Sequence, residues 1–159
     1  MNPSSFERLI ALETLQRVAA ALASALTASG QAQMWISLEG PLGAGKTTFM
    51  RALLVALGVS DRIKSPTYTL VETYQVDHQA VQHWDWYRLH DPTELEVLGF
   101  EEGVESAWVF VEWSSRFPSL SKRNDVLIEW VSLEEPRRVR LTALTERGLR
   151  VLAPLNAQD

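Results

Sequence analysis

Residues 40–48 read GPLGAGKTT, and the flanking segments are best understood from this glycine-rich stretch. It has the spacing G-x-x-x-x-G-K-[ST] of a phosphate-binding loop (P-loop), with Gly40, Gly45, Lys46 and Thr47 at the four fixed positions. Glycines let the backbone curl so that successive N–H groups converge on phosphate oxygens. Lys46 is placed to neutralise the β- and γ-phosphates, and the Thr47 hydroxyl to hold Mg²⁺. The motif therefore predicts a nucleotide site.

The segments on either side of the loop have the order that the motif requires. Residues 34–39 (MWISLE) form a short apolar run typical of a buried strand. Residues 48–57 place apolar side chains at helical spacing, and Gly58 follows where a helix commonly ends in a glycine. Strand, glycine loop and helix in succession predict a P-loop protein.

Length and composition limit the other possibilities. A chain of 159 residues predicts one domain, 1–159, whose last residues, 155–159, we expect to be frayed. The net charge of −5 argues against an extended nucleic-acid-binding face. There is no cysteine, no basic and apolar leader at the start and no run of transmembrane length, so we expect a cytoplasmic protein without a membrane contact.

Patterns along the chain predict an α/β fold with the three layers of P-loop NTPases, built on a mainly parallel sheet with antiparallel C-terminal strands. The other predicted elements are a helix that ends before Gly30, a short helix over 92–98, strands over 68–74, 81–86, 108–112, 125–133 and 138–144, and a turn at 145–148 that leads into residues 149–153 of an arginine-bearing hairpin.

Two acidic residues are candidates for the chemistry. Residues 108–112 (WVFVE) end four apolar positions with an acid, as in a Walker-B strand whose carboxylate holds Mg²⁺, although a strand that ends at an exposed Glu112 is the alternative. Asp85 lies between two tryptophans in a segment that looks buried, where a carboxylate needs a partner. It either caps the local backbone or faces a cation or the attacking water.

Ser65 and Thr67 flank a proline in the turn that follows the P-loop helix. Many P-loop NTPases place a switch segment here, in which a hydroxyl reaches Mg²⁺ or the γ-phosphate. The two hydroxyls are equally well explained as caps of a turn. Both interpretations stay open at the level of the sequence.

Four stretches together resemble one family: GPLGAGKTTF from Gly40, SPTYTLVETY from Ser65, DWYRL from Asp85 and VEW from Val111. In this order and spacing they are similar to the TsaE family, small P-loop ATPases of bacterial tRNA threonylcarbamoyladenosine synthesis. The resemblance covers roughly residues 12–145. It implies binding of ATP and Mg²⁺, slow hydrolysis, and association with the TsaB–TsaD heterodimer. That heterodimer modifies the adenosine beside the anticodon of ANN-decoding tRNAs, and hydrolysis is implied to reset it between turnovers.

The resemblance also assigns roles to individual residues. It implies a phosphate loop of Gly43, Ala44, Gly45, Lys46 and Thr47 that continues into Thr48, Mg²⁺ ligands Thr47 and Glu112, a switch loop with Ser65 and Thr67, Asp85 as the acid that orients or activates water, and Trp113 beside the nucleotide. Pro41 stands where the family usually has Asp. Because proline lacks an N–H but the amides that cradle phosphate come later in the loop, we expect binding to survive.

The mechanism expected from these residues is in-line attack of water on the γ-phosphate, with Lys46, Asp85 and Glu112 as the catalytic set. Arg88 and Arg116 are the candidates for an arginine finger; otherwise a partner completes the site. A small-molecule kinase is the main alternative, although the acidic stretch after Asp91 suits an anionic acceptor poorly. A GTPase lacks support because N-K-x-D is missing. The arginines of the 137–150 hairpin leave open an RNA-binding or scaffold role, or a weak direct tRNA contact.

Overall fold

The computed structural model describes residues 5–60 and 62–156. Within them, one sheet has seven strands: β1 (Ser5–Ile10), β2 (Met34–Glu39), β3 (Val71–Val76), β4 (Gln79–Asp85), β5 (Ala107–Glu112), β6 (Val126–Ser132) and β7 (Arg137–Ala143). The helices in the same residues are α1 (Leu12–Ser29), α2 (Lys46–Ala56), α3 (Thr93–Val97), α4 (Phe100–Val104), α5 (Pro118–Ser121) and α6 (Glu146–Asn156), with a 3₁₀ turn at Ser114–Arg116. Among these described helices, none combines the length and apolar character needed to cross a membrane.

The strand order is β1-β7-β6-β2-β5-β4-β3, and the four central strands run parallel. β7 is antiparallel to β6, which confirms the predicted α/β fold with antiparallel strands toward the C-terminus. Two edge strands add antiparallel pairs that the sequence patterns did not predict: β1 pairs with β7, and β3 with β4. The β2–loop–α2 prediction is confirmed, and Gly58 follows the helix in the left-handed conformation, at φ 91°.

Apolar side chains cover both faces of the central strands. On one face, α1, α2 and α6 share an apolar cluster with the sheet, through side chains such as Leu22, Leu53 and Ile36. On the other face an aromatic cluster fills the space beneath α3, α4 and α5. The ring of Phe100 lies edge-on at its centre, 4.9 Å from Trp84 and 5.6 Å from Trp86. Parallel strands buried on both faces read as continuous apolar runs, which explains the compositions of β2 and β5.

The predicted continuation of a hairpin through residues 149–153 is wrong, because these residues belong to α6. The buried positions of α6 recur at helical spacing: Gly148, Val151, Leu152 and Leu155. The five residues 149–153 taken alone are too few to distinguish this spacing from the alternation of a strand. Arg147 and Arg150 therefore lie on a helix and not on a hairpin. The expectation of fraying is also wrong at Leu155, which is buried, whereas residues 157–159 lie outside the described part of the chain.

A buried carboxylate fastens α6 to the sheet. Asp125, at the start of β6, accepts the backbone N–H of Trp35 at 2.9 Å and the hydroxyl of Thr145 at 2.6 Å. Arg147 adds an ion pair, with its Nε 3.2 Å from Asp125 Oδ1. The helix consequently approaches β6 so closely that a Cβ at position 148 would lie 2.0 Å from the Asp125 carbonyl oxygen. Only glycine fits at this position.

We predict that Gly148→Ala lowers the free energy of unfolding by about 2–4 kcal/mol, because the methyl group forces α6 away from β6. Chemical denaturation monitored by tryptophan fluorescence measures the change. Arg150→Ala, at an exposed position on the same helix, is the control and should stay within about 0.5 kcal/mol of the wild type. Equal stabilities of Gly148→Ala and the wild type would contradict the close approach.

Candidate nucleotide-binding site

The P-loop connects β2 to α2 at the edge of the sheet where the central parallel strands end, the edge at which α/β proteins commonly bind ligands. Gly43 and Gly45 have φ angles of 77° and 112°, a conformation that favours glycine. Gly40 is required for a different reason, since a Cβ there would lie 2.9 Å from the Cβ of Trp130. The predicted loop residues Gly43, Ala44, Gly45, Lys46, Thr47 and Thr48 all line one groove of about 390 Å³.

Lys46 is held at the groove by three contacts. Its Nζ donates to the carbonyl oxygen of Pro41 at 3.0 Å and to that of Gly40, and lies 4.5 Å from the centre of the Trp113 ring. Burial lowers the pKa of Lys46, while the carboxylates of Glu112, Glu39 and Asp85 oppose that shift. A phosphate oxygen would offer this ammonium group a charged acceptor in place of the two carbonyls.

The Thr47 hydroxyl donates to Glu112 Oε1 at 3.3 Å, although the two residues are 65 positions apart. Glu112 is only 3% exposed, so the alternative of an exposed strand end is wrong. A hydroxyl beside a carboxylate, at a groove with space for water, fits Mg²⁺, which usually takes one or two carboxylates and completes its shell with water and substrate phosphates. Among the described residues, no group of three or more His, Cys, Asp or Glu side chains is placed to hold a metal ion.

Asp85 borders the same groove and is 7% exposed. Its Oδ1 accepts the backbone N–H of Tyr87 at 3.0 Å, so the residue does cap the local backbone. Because β4 pairs with β5 in the register Asp85↔Glu112, it also stands next to the proposed metal ligand. Burial raises the pKa of Asp85, and the nearby Glu112 acts in the same direction, against the Tyr87 hydrogen bond and the positive charge of Lys46.

His83 is a candidate that the sequence analysis missed. It is 1% exposed, and its Nε2 lies 3.5 Å from Glu112 Oε1, without a hydrogen-bond partner among the described residues. The three histidines of the chain lack the spacing of metal ligands, so no sequence motif indicated His83. The useful signal was strand alternation: His83 and Asp85 are two residues apart on one strand and therefore point to the same face.

Trp113 follows Glu112 and has a positive φ of 63°. A non-glycine residue in this conformation is strained by about 1–3 kcal/mol. The indole lies beside the Lys46 ammonium group and against Tyr87, whose ring centre is 5.0 Å away. The structure thus places the predicted Trp113 at the groove.

The turn after α2 has the contacts of a cap. The hydroxyl oxygens of Ser65 and Thr67 are 2.8 Å apart, and the Leu70 N–H donates to the Pro66 carbonyl at 2.8 Å. Thr67 lines the groove as well, whereas Ser65 is not among its lining residues in the part of the chain that the structure describes. Their role as a switch stays a prediction.

The two arginines proposed as fingers have different surroundings. Arg88 lines the groove, and its Nη2 donates to the Tyr68 carbonyl at 3.2 Å. Arg116 instead donates from Nε to the Leu89 carbonyl at 2.7 Å and supports a loop. A third arginine, Arg137 at the start of β7, reaches the P-loop from the opposite side. No local pattern could place it there, because it contacts Ala44, 93 residues away.

The model of one family, described as "Threonylcarbamoyl adenosine biosynthesis protein TsaE", matches residues 11–140. The chain belongs to the TsaE family. Relatives named tRNA threonylcarbamoyladenosine biosynthesis protein TsaE include those of Haemophilus influenzae, 36% identical over 74% of this chain and 75% of that protein, and Aquifex aeolicus, 41% identical over 65% and 71%. The crystal structure of Bacillus subtilis YdiB superposes with a TM-score of 0.70 at 21% identity, covering 100% of this chain and 99% of that one, which supports the fold.

We predict that Asp85→Asn raises thermal stability at pH 7, because the amide still accepts the Tyr87 N–H but carries no buried charge beside Glu112. The native pKa of Asp85 is raised above 3.8, so the native state binds a proton more readily than the unfolded chain. The stability of the wild type therefore falls as the pH rises from 3.8 through the native pKa of Asp85. The advantage of Asp85→Asn should disappear toward pH 4, where the wild-type carboxyl group is protonated in the native state.

Unfolding temperatures of both proteins between pH 4 and 8 test this prediction. The control is Asp91→Asn. The hydrogen bonds from Thr93 lower the pKa of the exposed Asp91, so its loss should act weakly and in the opposite direction. A lower stability of Asp85→Asn at every pH would mean that Lys46 fully compensates the Asp85 charge.

Proposed function

We propose that this TsaE-family chain binds ATP with Mg²⁺, hydrolyses it slowly alone, and supports threonylcarbamoylation of the adenosine beside the anticodon of ANN-decoding tRNAs. The observation that carries the proposal is the pairing of the Thr47 hydroxyl with the Glu112 carboxylate, 3.3 Å apart, at the mouth of a complete P-loop. The pathway is supported by the description of the family model and by the names of the relatives. The cytoplasm is the compartment that follows from this pathway.

Each residue of the groove has a separate task in the proposed reaction. The loop amides and Lys46 bind the β- and γ-phosphates and stabilise the charge that develops on their oxygens. Thr47 and Glu112 would hold Mg²⁺, which when bound neutralises phosphate charge. Asp85 lines the same groove as Lys46 and would accept a hydrogen bond from the attacking water, orienting it in line with the γ-phosphate. Thr67 borders the groove and could contact the same phosphate.

Slow hydrolysis follows from the placement of the arginines. Arg116 is turned toward the Leu89 carbonyl, and Arg88 is engaged with the carbonyl and the ring of Tyr68, 5.5 Å from its centre. Both side chains are engaged with groups of the protein itself. An arginine finger is typically worth 10³- to 10⁵-fold in rate, so its supply or release by a partner would control the activity. We propose that the TsaB–TsaD heterodimer is that partner.

The proposed link to tRNA is indirect. Five arginines were expected on one hairpin, but Arg147 and Arg150 lie on α6. Arg147 pairs with Asp125, and Arg137 donates to the Ala44 carbonyl of the P-loop. The basic patch suggested by residues 137–150 is therefore not assembled in the form that the sequence indicated. Contact with tRNA through TsaB–TsaD is the simpler proposal.

We predict that Lys46→Ala weakens ATP binding at least tenfold and abolishes phosphate release, because it removes the cation that faces the phosphates. Calorimetric titration with Mg-ATP and a phosphate-release assay measure the two effects. Lys122→Ala, at an exposed position on the other side of the sheet, is the matched control and should leave both unchanged. Phosphate transferred to an acceptor other than water would favour a kinase instead.

Reconstituted tRNA modification tests the pathway. The assay contains the TsaB–TsaD pair, tRNA and threonylcarbamoyl-adenylate, with or without this chain and ATP, under multiple-turnover conditions. We expect repeated turnover with the wild type and with Lys122→Ala, and a single round with Lys46→Ala. If the protein hydrolyses ATP but has no effect on modification, the P-loop function stands and the pathway assignment fails.

A further inference from the structure

We propose that Arg137 is a positioning residue of the nucleotide site, which holds the Ala44–Gly45 peptide in the orientation that directs the Gly45 N–H toward phosphate. The inference rests on the proposed nucleotide binding and deepens it. It assigns to β7, in the antiparallel part of the sheet, an indirect role in phosphate recognition, through the backbone of the P-loop.

The first step is the contact itself. Arg137 Nη1 donates to the Ala44 carbonyl oxygen at 2.8 Å. In a trans peptide, the carbonyl of one residue and the N–H of the next point in opposite directions. A carbonyl of Ala44 that is fixed toward Arg137 therefore turns the N–H of Gly45 away from Arg137, into the curl of the loop where a phosphate would lie.

The second step is the fit around Gly45. Its φ of 112° suits glycine, and a Cβ there would lie 3.4 Å from Arg137 Nη1 and 3.6 Å from Trp130 Nε1. Arg137 and Trp130 thus form an outer wall against the back of the loop. Because this wall stands on the side of the Ala44 carbonyl, the inner side is left to the amides.

The third step is what holds Arg137 in place. Its Nε lies 3.2 Å from Glu135 Oε1, an ion pair without hydrogen-bond geometry, and the residue is the first of β7, which holds its backbone in the sheet. A planar guanidinium can donate to the Ala44 carbonyl in a set direction while its charge stays beside the Glu135 carboxylate. A lysine ammonium on a flexible stem has no such geometry, which makes Arg137→Lys an informative variant.

A direct contact between Arg137 and phosphate is the competing explanation, since the residue lines both the phosphate groove and an adjoining cavity of about 210 Å³ beside α1. The two roles differ in what lysine can replace. Arg137→Lys keeps the positive charge that would attract phosphate, and salt weakens that attraction. The orientation of the peptide, by contrast, depends on the geometry of the guanidinium, which lysine does not reproduce.

The experiment measures ADP binding by calorimetry, and the Gly45 amide by ¹H–¹⁵N NMR, for the wild type, Arg137→Ala, Arg137→Lys and Glu135→Gln. We expect about tenfold weaker binding for Arg137→Ala and nearly the same loss for Arg137→Lys. The change in affinity with salt should match that of the wild type, and the ADP-induced shift of the Gly45 amide should be reduced. Glu135→Gln, which keeps the arginine, should show a smaller loss in the same direction.

Arg138→Ala, the neighbouring position on β7, is the control and should bind ADP within twofold of the wild type. Full affinity in Arg137→Lys together with a weaker salt dependence in Arg137→Ala would overturn the proposal in favour of a direct phosphate contact. Unchanged affinity in every Arg137 variant would overturn it as well. If the wild type binds ADP and Lys46→Ala does not, such a result leaves the proposed function intact; if the wild type does not bind, both fail.

Discussion

The parallel pairing of β2 with β5 is the constraint on which the rest of the site depends. Its register sets Leu38 opposite Glu112, so the end of one strand delivers the P-loop and the end of the next delivers the carboxylate. A slip of one residue would turn Glu112 to the opposite face of the sheet and separate it from Thr47. Apolar packing on both faces, by the helices on one side and the Phe100 cluster on the other, is what makes that register strongly preferred.

The same edge of the sheet concentrates charge that the protein alone stabilises poorly. Three charged side chains are each buried by nine-tenths or more: Lys46, Asp85 and Glu112. Burial lowers the pKa of Lys46 and raises the pKa of Asp85, which favours the neutral form of each. His83 adds a buried nitrogen 3.5 Å from Glu112. Trp113 contributes backbone strain. Such features cost folding stability, and they cluster where phosphate and a cation would complete the set of charges.

The antiparallel half of the sheet supports the site from behind. Trp130 on β6 packs against Gly40 so closely that a side chain there is excluded, and Arg137 on β7 binds the Ala44 carbonyl. The P-loop is therefore held between a parallel sheet that supplies the acids and an antiparallel ribbon that shapes its outer surface. Asp125 connects this ribbon to β2 through the Trp35 N–H and to the start of α6 through the Thr145 hydroxyl.

Local sequence patterns determined the P-loop, the strand before it, the helix after it and the acid at the end of β5, because each depends on spacing within about ten residues. They failed over residues 149–153, where a short stretch does not distinguish the period of a strand from that of a helix. They also left Ser65, Thr67 and Asp85 with two interpretations each. Tertiary structure alone decided that Glu112 is buried beside Thr47, that His83 points at Glu112, and that Arg137 reaches Ala44 across 93 residues. The reason is that strand order and register, and not distance along the chain, choose the neighbours of a side chain in a sheet.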